Sequence, residues 1–253
     1  MTTRRLWAAA LGISLLAMVL YAPVGHFAFL PYDDDVYVTT NPVVSDGLSW
    51  QGIMWAFTTI DTEMANWIPA TSISHMLDVS LFGLRPGPLH LVNAALHAAT
   101  AGLLAVVLGT MTGRAGPSLL AAAIFAAHPL RVESVAWVAE RKDVLSAFFW
   151  VLAMSFWLEY ARRPRTARYL AVCTAALLAL LAKPMAVTLP ATLLLLDFWP
   201  LGRWRRGAAT RLLLEKAPLA ALAAVTAVLA WEAQRRSGAM FLMDTAHQPL
   251  RIA

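Results

Sequence analysis

Of 253 residues, 59% are hydrophobic and only 14% charged, and mean hydropathy is +0.62. Soluble domains carry about a quarter charged residues, so this composition excludes an ordinary soluble domain and predicts an all-α, polytopic membrane helix bundle. The formal charge of +5 does not point to nucleic acid, because the basic residues are grouped between apolar segments and not along one face. The single cysteine, Cys173, excludes an intrachain disulfide and a Cys-rich metal site; its apolar surroundings assign it to packing.

The first apolar run, "MTTRRLWAAALGISLLAMVLYAPVG", has the basic start of a secretory signal. Its apolar part is long and no small-x-small cleavage site precedes Pro23, so it predicts an uncleaved helix with Arg4 and Arg5 on the cytoplasmic side. Residues 26–88 predict an external loop, with turn chemistry at Asn41-Pro42, Ser45-Asp46-Gly47 and Arg85-Pro86-Gly87-Pro88. Between these turns, "SWQGIMWAFTT" and "NWIPATSISHMLDVSLFGL" have near-helical spacing. They read as short interfacial helices, with Trp50, Trp55 and Trp67 at headgroup depth. The second reads equally as a re-entrant segment.

Further apolar helices are predicted at 89–110, 118–127, 144–160, 169–182, 186–199 and 212–231, giving about seven transmembrane helices in a single domain over 1–253. Alternation from a cytoplasmic N-terminus puts Arg114, the arginines of 162–168 and those of 203–211 inside, as the positive-inside bias requires. The acidic loop and "HPLRVESVAWVAERKD", residues 128–143, then fall outside. Basic residues in an outer loop run against that bias, and an anionic headgroup or phosphate is the physical candidate for retaining them.

Asp33, Asp34 and Asp35 repel one another, are costly to bury and are expected to face water, a cation or a substrate. At the mouth of a helix bundle they suit a base acting on a lipid-linked substrate; a solvated turn or helix cap is the plainer alternative. The block of His128, Arg131, Glu133, Arg141, Lys142 and Asp143 is the second cluster. If it is one helix, Glu133 and Arg141 lie about 12 Å apart along the axis, too far to pair. A basic interfacial cap on the next helix is the plainer reading there. His90, Asn93 and His97, at i, i+3 and i+7, share one face and predict packing by hydrogen bonds rather than metal binding. Lys183, before Pro184, either snorkels or adds positive charge to the outer cavity, and Asp197 is expected to pair with Arg203 or its neighbours.

Several of these segments together are familiar. "YDDDVYVTTNPVV", "NWIPATSISHMLDVSLFGL", "HLVNAALH", "HPLRVESVAWVAERKDVLSAFFW" and "AKPMAVTLPATLLLLDFWPLGR" resemble the membrane region of the transmembrane and tetratricopeptide-repeat proteins. That group includes bacterial relatives and the eukaryotic protein O-mannosyltransferases. The resemblance implies a GT-C-like glycosyltransferase with an acidic residue in the first external loop, matching Asp33 and Asp34 here. Asp35 stands where many relatives have an apolar residue, and Arg131 where many have a second histidine. Relatives continue past the point where this chain ends in "PLRIA", which implies a truncated bacterial relative without the helical-repeat domain, in the inner membrane.

The implied chemistry is transfer of a sugar, mannose by the resemblance, from a polyprenyl-phosphate donor to a protein or peptide hydroxyl with inversion. Asp33 or Asp34 would take the acceptor proton, and Arg141, Lys142 and Arg131 would hold the donor phosphate. Asp35, His128, Glu133, Asp143 and Lys183 would support them. No cofactor is required, although a divalent Mg or Mn ion would suit the carboxylates. The alternatives are a non-catalytic membrane scaffold that docks a partner and, third, a transporter, for which the polar face of 89–110 is the only support.

Overall fold

The computed structural model describes residues 2–60 and 66–238. They form a polytopic helical bundle whose elements, in order, are α1 (Thr3–Tyr21), α2 (Pro42–Ser45), α3 (Trp50–Thr58), α4 (Pro69–Phe82), α5 (Pro86–Thr112), α6 (Ala115–Ala127), α7 (Val132–Ala136), α8 (Arg141–Arg162), α9 (Thr166–Ala182), α10 (Leu189–Phe198) and α11 (Ala209–Arg236). Local chemistry sets the boundaries. Prolines occupy the first turn of α2, α4, α5 and α10, where a missing N–H costs nothing. The Asn41 and Ser49 side chains cap α2 and α3, and α5 ends at Gly113 in the left-handed region (φ 68°).

Four segments are long and apolar enough to cross a bilayer: Thr3–His26, Pro86–Thr112, Val138–Arg162 and Ala209–Arg236. A fifth results if Ala115–Ala127 and Pro129–Ala136, bent by 55° at His128, count as one. All seven expected apolar helices are present, but by length only four or five of them span. The reason is local: Pro184 ends α9 after 17 residues and Pro190 opens α10, so both stay short.

The bundle is held along its middle by small residues. Ala10, Ala17, Ala98, Ala101, Ala105, Ala122 and Ala126 form one buried cluster among α1, α5 and α6. Small side chains at helical spacing let backbones approach closely, which is how helices associate where lipid supplies no hydrophobic drive. Gly102 on α5 shows how close: a Cβ there would lie 3.2 Å from the Ala10 carbonyl oxygen and collide with the Ser14 hydroxyl.

The bundle has two polar ends. At the arginine-rich end, the buried Asp197 carboxylate accepts from the Trp157 indole (3.0 Å), from Arg203 (2.8 Å) and from Lys216, and Arg203 also pairs with Glu215 at 2.8 Å. This agrees with the pairing expected for Asp197. The other end carries residues 27–41, α4, α7 and the start of α8. There α4 packs a full face inward, burying Thr71, Ser72, His75, Met76, Asp78 and Val79, and the Thr71 hydroxyl donates to the Ala182 carbonyl at 3.0 Å. Helix α3 leaves Trp50 71% exposed while Gly52 packs on Met76.

Candidate active site

The acidic triplet does not act as a unit. After Leu30 the chain turns so that its three carboxylates diverge. Asp35 Oδ1 accepts from the next backbone amide, Val36, at 2.8 Å. Asp33 is half-buried on the side of Lys142 and Tyr37. Asp34 is 0% exposed, contrary to the expectation that all three face water. Its burial is tolerated because Oδ2 accepts from the Leu30 amide (2.9 Å) and Oδ1 from the Ala139 amide (2.8 Å). Burial still raises the Asp34 pKa above the usual carboxylate range, while those two amides, the nearby His90 and the Trp137 indole pull it back.

The Asp34–Ala139 hydrogen bond joins residues 105 apart and ties the triplet to the second cluster. That cluster is not one helix. The chain is extended at Trp137 (ψ 126°), between α7 and a single turn of 3-10 helix at Val138–Glu140. The break frees the Ala139 amide for Asp34. It also aims the Trp137 carbonyl at Asn93, whose Nδ2 donates to it at 2.7 Å.

Lys142 then lies over the Tyr37 ring (4.8 Å to its centre), paired with Glu140 at 2.7 Å. Glu140 also lies 3.8 Å from Lys183, which binds Asp143; Asp143 in turn accepts from the Ser134 hydroxyl at 3.0 Å. Charges of alternating sign thus run from Asp33 through Lys142, Glu140 and Lys183 to Asp143. The Tyr37 hydroxyl accepts from Asn66 Nδ2 (3.0 Å), and burial raises the Tyr37 pKa against the pull of Lys142.

Arg141 is placed differently from what a phosphate ligand needs. It is 0% exposed and its donors are taken by protein: Nε by Asn93 Oδ1, Nη1 by Ser74 (2.7 Å), Nη2 by Asp78 (2.6 Å) and the Leu89 carbonyl (3.1 Å). A guanidinium held by four partners is a structural centre. The expectation that it binds the donor phosphate does not fit this geometry.

Of the remaining expected residues, His128 is an exposed cap whose Nδ1 accepts from the Leu130 amide at 3.2 Å. Glu133 is exposed on the rim of an apolar cavity of about 430 Å³ between residues 27–30, His90 and Trp137. Arg131 is exposed, stacks over Phe125 (4.8 Å) and has no ion-pair partner among the described residues. It shares a second cavity, about 470 Å³, with Lys183 and Asp143 at the mouth and Leu104, Phe125, Trp150 and Met154 along the walls. The His90, Asn93, His97 face packs inward as expected: His90 lies 3.3 Å from the Ala28 carbonyl and His97 3.1 Å from that of Ala126.

Sequence reasoning missed Glu140, Tyr37, Asp78 and Ser74. The signal for the last two was present: a lone carboxylate in the apolar segment "SHMLDVS", four residues after a serine and so on the same helix face. Among the described residues no group of three or more His, Cys, Asp or Glu side chains is arranged to hold a metal, and Asp34 and Asp35 accept from different backbone amides.

The chain is similar to protein O-mannosyl-transferases. It is 32% identical over 153 residues to protein O-mannosyl-transferase Tmtc2 of Drosophila melanogaster, covering 58% of this chain and 16% of that protein. It is 29% identical over 157 residues to TMTC2 of Homo sapiens (60% and 19%) and 29% over 182 residues to Tmtc1 of Drosophila melanogaster (70% and 21%). The matched region thus spans about a fifth or less of these O-mannosyl-transferases. No family model matches, and no solved structure does.

Proposed function

We propose that this chain is the membrane part of a GT-C-like glycosyltransferase that moves a sugar, mannose by analogy with the O-mannosyl-transferase relatives, from a polyprenyl-phosphate donor to a protein hydroxyl. The observation that carries the proposal is the Asp34–Ala139 hydrogen bond, which brings an acidic loop against a lysine-bearing turn at one end of a membrane bundle. Support also comes from the Arg131–Lys183 cavity, whose cationic mouth and apolar walls match a phosphate on a lipid chain.

In this proposal Asp33 is the base, because it is accessible while Asp34 is sealed behind two amides. Asp33 takes the proton from the acceptor hydroxyl as its oxygen bonds to the anomeric carbon. The bond from that carbon to the phosphate oxygen breaks, and the electron pair leaves with the phosphate. The departing phosphate is already anionic, so it needs cations more than an acid, and Lys142, Lys183 and Arg131 supply them. Attack opposite the leaving group inverts the anomeric centre. The arginine-rich end is assigned to the cytoplasm, with Arg4, Arg5, Arg114 and Arg162 together, and the membrane to a bacterial inner membrane.

The test is label transfer from polyprenyl-phosphate mannose to a Ser/Thr peptide by the chain purified into lipid. Unchanged transfer by an Asp33→Asn, Asp34→Asn double variant overturns the assignment.

A further inference from the structure

The apolar cavity of about 430 Å³ beside the acidic turn is unused by the proposed chemistry. Its walls are Phe27, Phe29, Leu30 and Trp137, together with the His90 ring, which stands edge-on to Phe27 at 6.0 Å. Among the described residues Glu133 is the one carboxylate on the lining, no lysine or arginine lines it, and Glu133 has no ion-pair partner. Helix α7 and its flanking residues separate this cavity from the Arg131–Lys183 cavity. Val132, Glu133 and Ala136 line the apolar one, whereas Arg131 lines the other and Ser134 donates to Asp143 at its mouth. The apolar walls are tied to the acidic turn on both sides. The Leu30 amide holds one Asp34 oxygen at 2.9 Å, and the Ala139 amide, just past Trp137, holds the other at 2.8 Å. Asp33 follows Leu30 in the chain by a span of at most about 11 Å, and the Tyr32 amide shortens it by donating to the Leu30 carbonyl at 2.8 Å.

An occupant must suit both the aromatic, apolar walls and a lone carboxylate at the rim. A phospholipid acyl chain suits the walls, but its phosphate would then lie against Glu133. A polypeptide segment with an aromatic side chain and a basic residue beside it satisfies both. Extended chain advances about 3.3 Å per residue, so a side chain two or three residues from a hydroxyl at Asp33 reaches the cavity. The exposed Tyr32, 5.9 Å from the Trp137 ring, continues the apolar surface toward Asp33. We propose that this cavity is an acceptor subsite. It takes an aromatic side chain two or three residues from the modified Ser or Thr, with a Lys or Arg of the same segment on Glu133. The assignment rests on the reading of Asp33 as the base.

The test is fluorescence anisotropy of labelled Ser peptides on the chain purified into lipid nanodiscs, without donor. The peptides carry Phe two or three residues before or after Ser, with Lys beside the Phe. The tightest of them should bind at least about tenfold better than its counterpart with Ala for Phe. Exchanging its Lys for Glu should weaken binding by about threefold at low salt, and Glu133→Lys should reverse that preference. Equal affinity for Phe and Ala peptides, or no reversal in Glu133→Lys, overturns the proposal. A benzophenone in place of the Phe gives a readout on the unaltered chain. Cross-links within residues 27–30 or 132–137 support the subsite; cross-links confined elsewhere, or labelling of those segments by a photoreactive phosphatidylcholine and not by the peptide, refute it. Binding and transfer separate the two readings. Binding with this preference but no sugar transfer overturns the transferase and leaves a peptide site, whereas transfer to Phe and Ala peptides with equal kcat/KM overturns the subsite and leaves the transferase.

Discussion

Arg141 Nη2 lies 2.6 Å from Asp78 Oδ2, joining the first turn of α8 to the middle of α4 across 63 residues. The pair is completed by Ser74, one turn before Asp78, and by Leu89 and Asn93, one turn apart on α5. Burial raises the Asp78 pKa and Arg141 pulls it back. Neither charge can be left alone: removing one partner of a buried pair strands the other, at about 3–5 kcal/mol.

Arg141→Ala and Asp78→Asn should therefore each destabilise by about that amount, read as a fall in melting temperature in detergent. Arg141→Lys should rescue little, since an ammonium cannot reach four partners set around a planar fork. Replacing both charges with apolar residues, Asp78→Leu with Arg141→Met, should recover much of the loss. Additive destabilisation in that double variant would show that the pair is not coupled.

Asp33 and Asp34 should separate by phenotype. Asp33→Asn should keep the fold and lower transfer by about a hundredfold or more, the usual contribution of a positioned base. Asp34→Asn should also lower the melting temperature, because its new amide group would face a backbone N–H where an oxygen now accepts. Equal stability of the two variants would contradict the anchoring role of Asp34.

His75 gives a pH dependence. It is 0% exposed with both ring nitrogens unpartnered among the described residues, and burial, then Arg141, then Lys142 push its pKa well below 6.5. The unfolded chain thus takes up a proton that the folded one refuses, so its contribution is complete above about pH 6.5 and is lost as pH falls below it. Asp34 and Asp78, whose pKa values are raised, act in the opposite sense. The comparison to make is between the native chain and His75→Phe: melting temperature should fall less in the variant between pH 6.5 and 5.5. A parallel fall would exclude His75 as the source.

The Gly102 contact is testable by packing. Gly102→Ala should cost about 1–3 kcal/mol through collision with Ser14 and crowding of the Ala10 carbonyl. Ser14→Ala in the same chain should return part of it. Gly102→Leu would force the α1 and α5 backbones apart and should prevent stable folding.

The helices were legible in the chain because a membrane span is a long apolar run with punctuation, and both survive in one dimension. The 186–199 prediction nearly coincides with Pro184–Phe198, since Lys183-Pro184 marks its start. Convergence was harder to see. "YDDDV" and "VAERKD" suggested an acidic and a basic patch, yet only the fold shows that Asp34 is sealed by Ala139 and that Arg141 is spent on Asp78. Adjacent charges in a sequence look equivalent. A turn of backbone points Arg141 into the bundle and Lys142 toward Tyr37, and no pattern of residue types records that difference.

The break at Trp137 has a consequence for how the protein is made. Its carbonyl is held by Asn93 from α5 and the amide two residues on by Asp34 from the loop after α1, both synthesised earlier. The pocket therefore cannot preform on the nascent chain; it closes only when three separately inserted segments have met, which makes its geometry a late reporter of correct insertion.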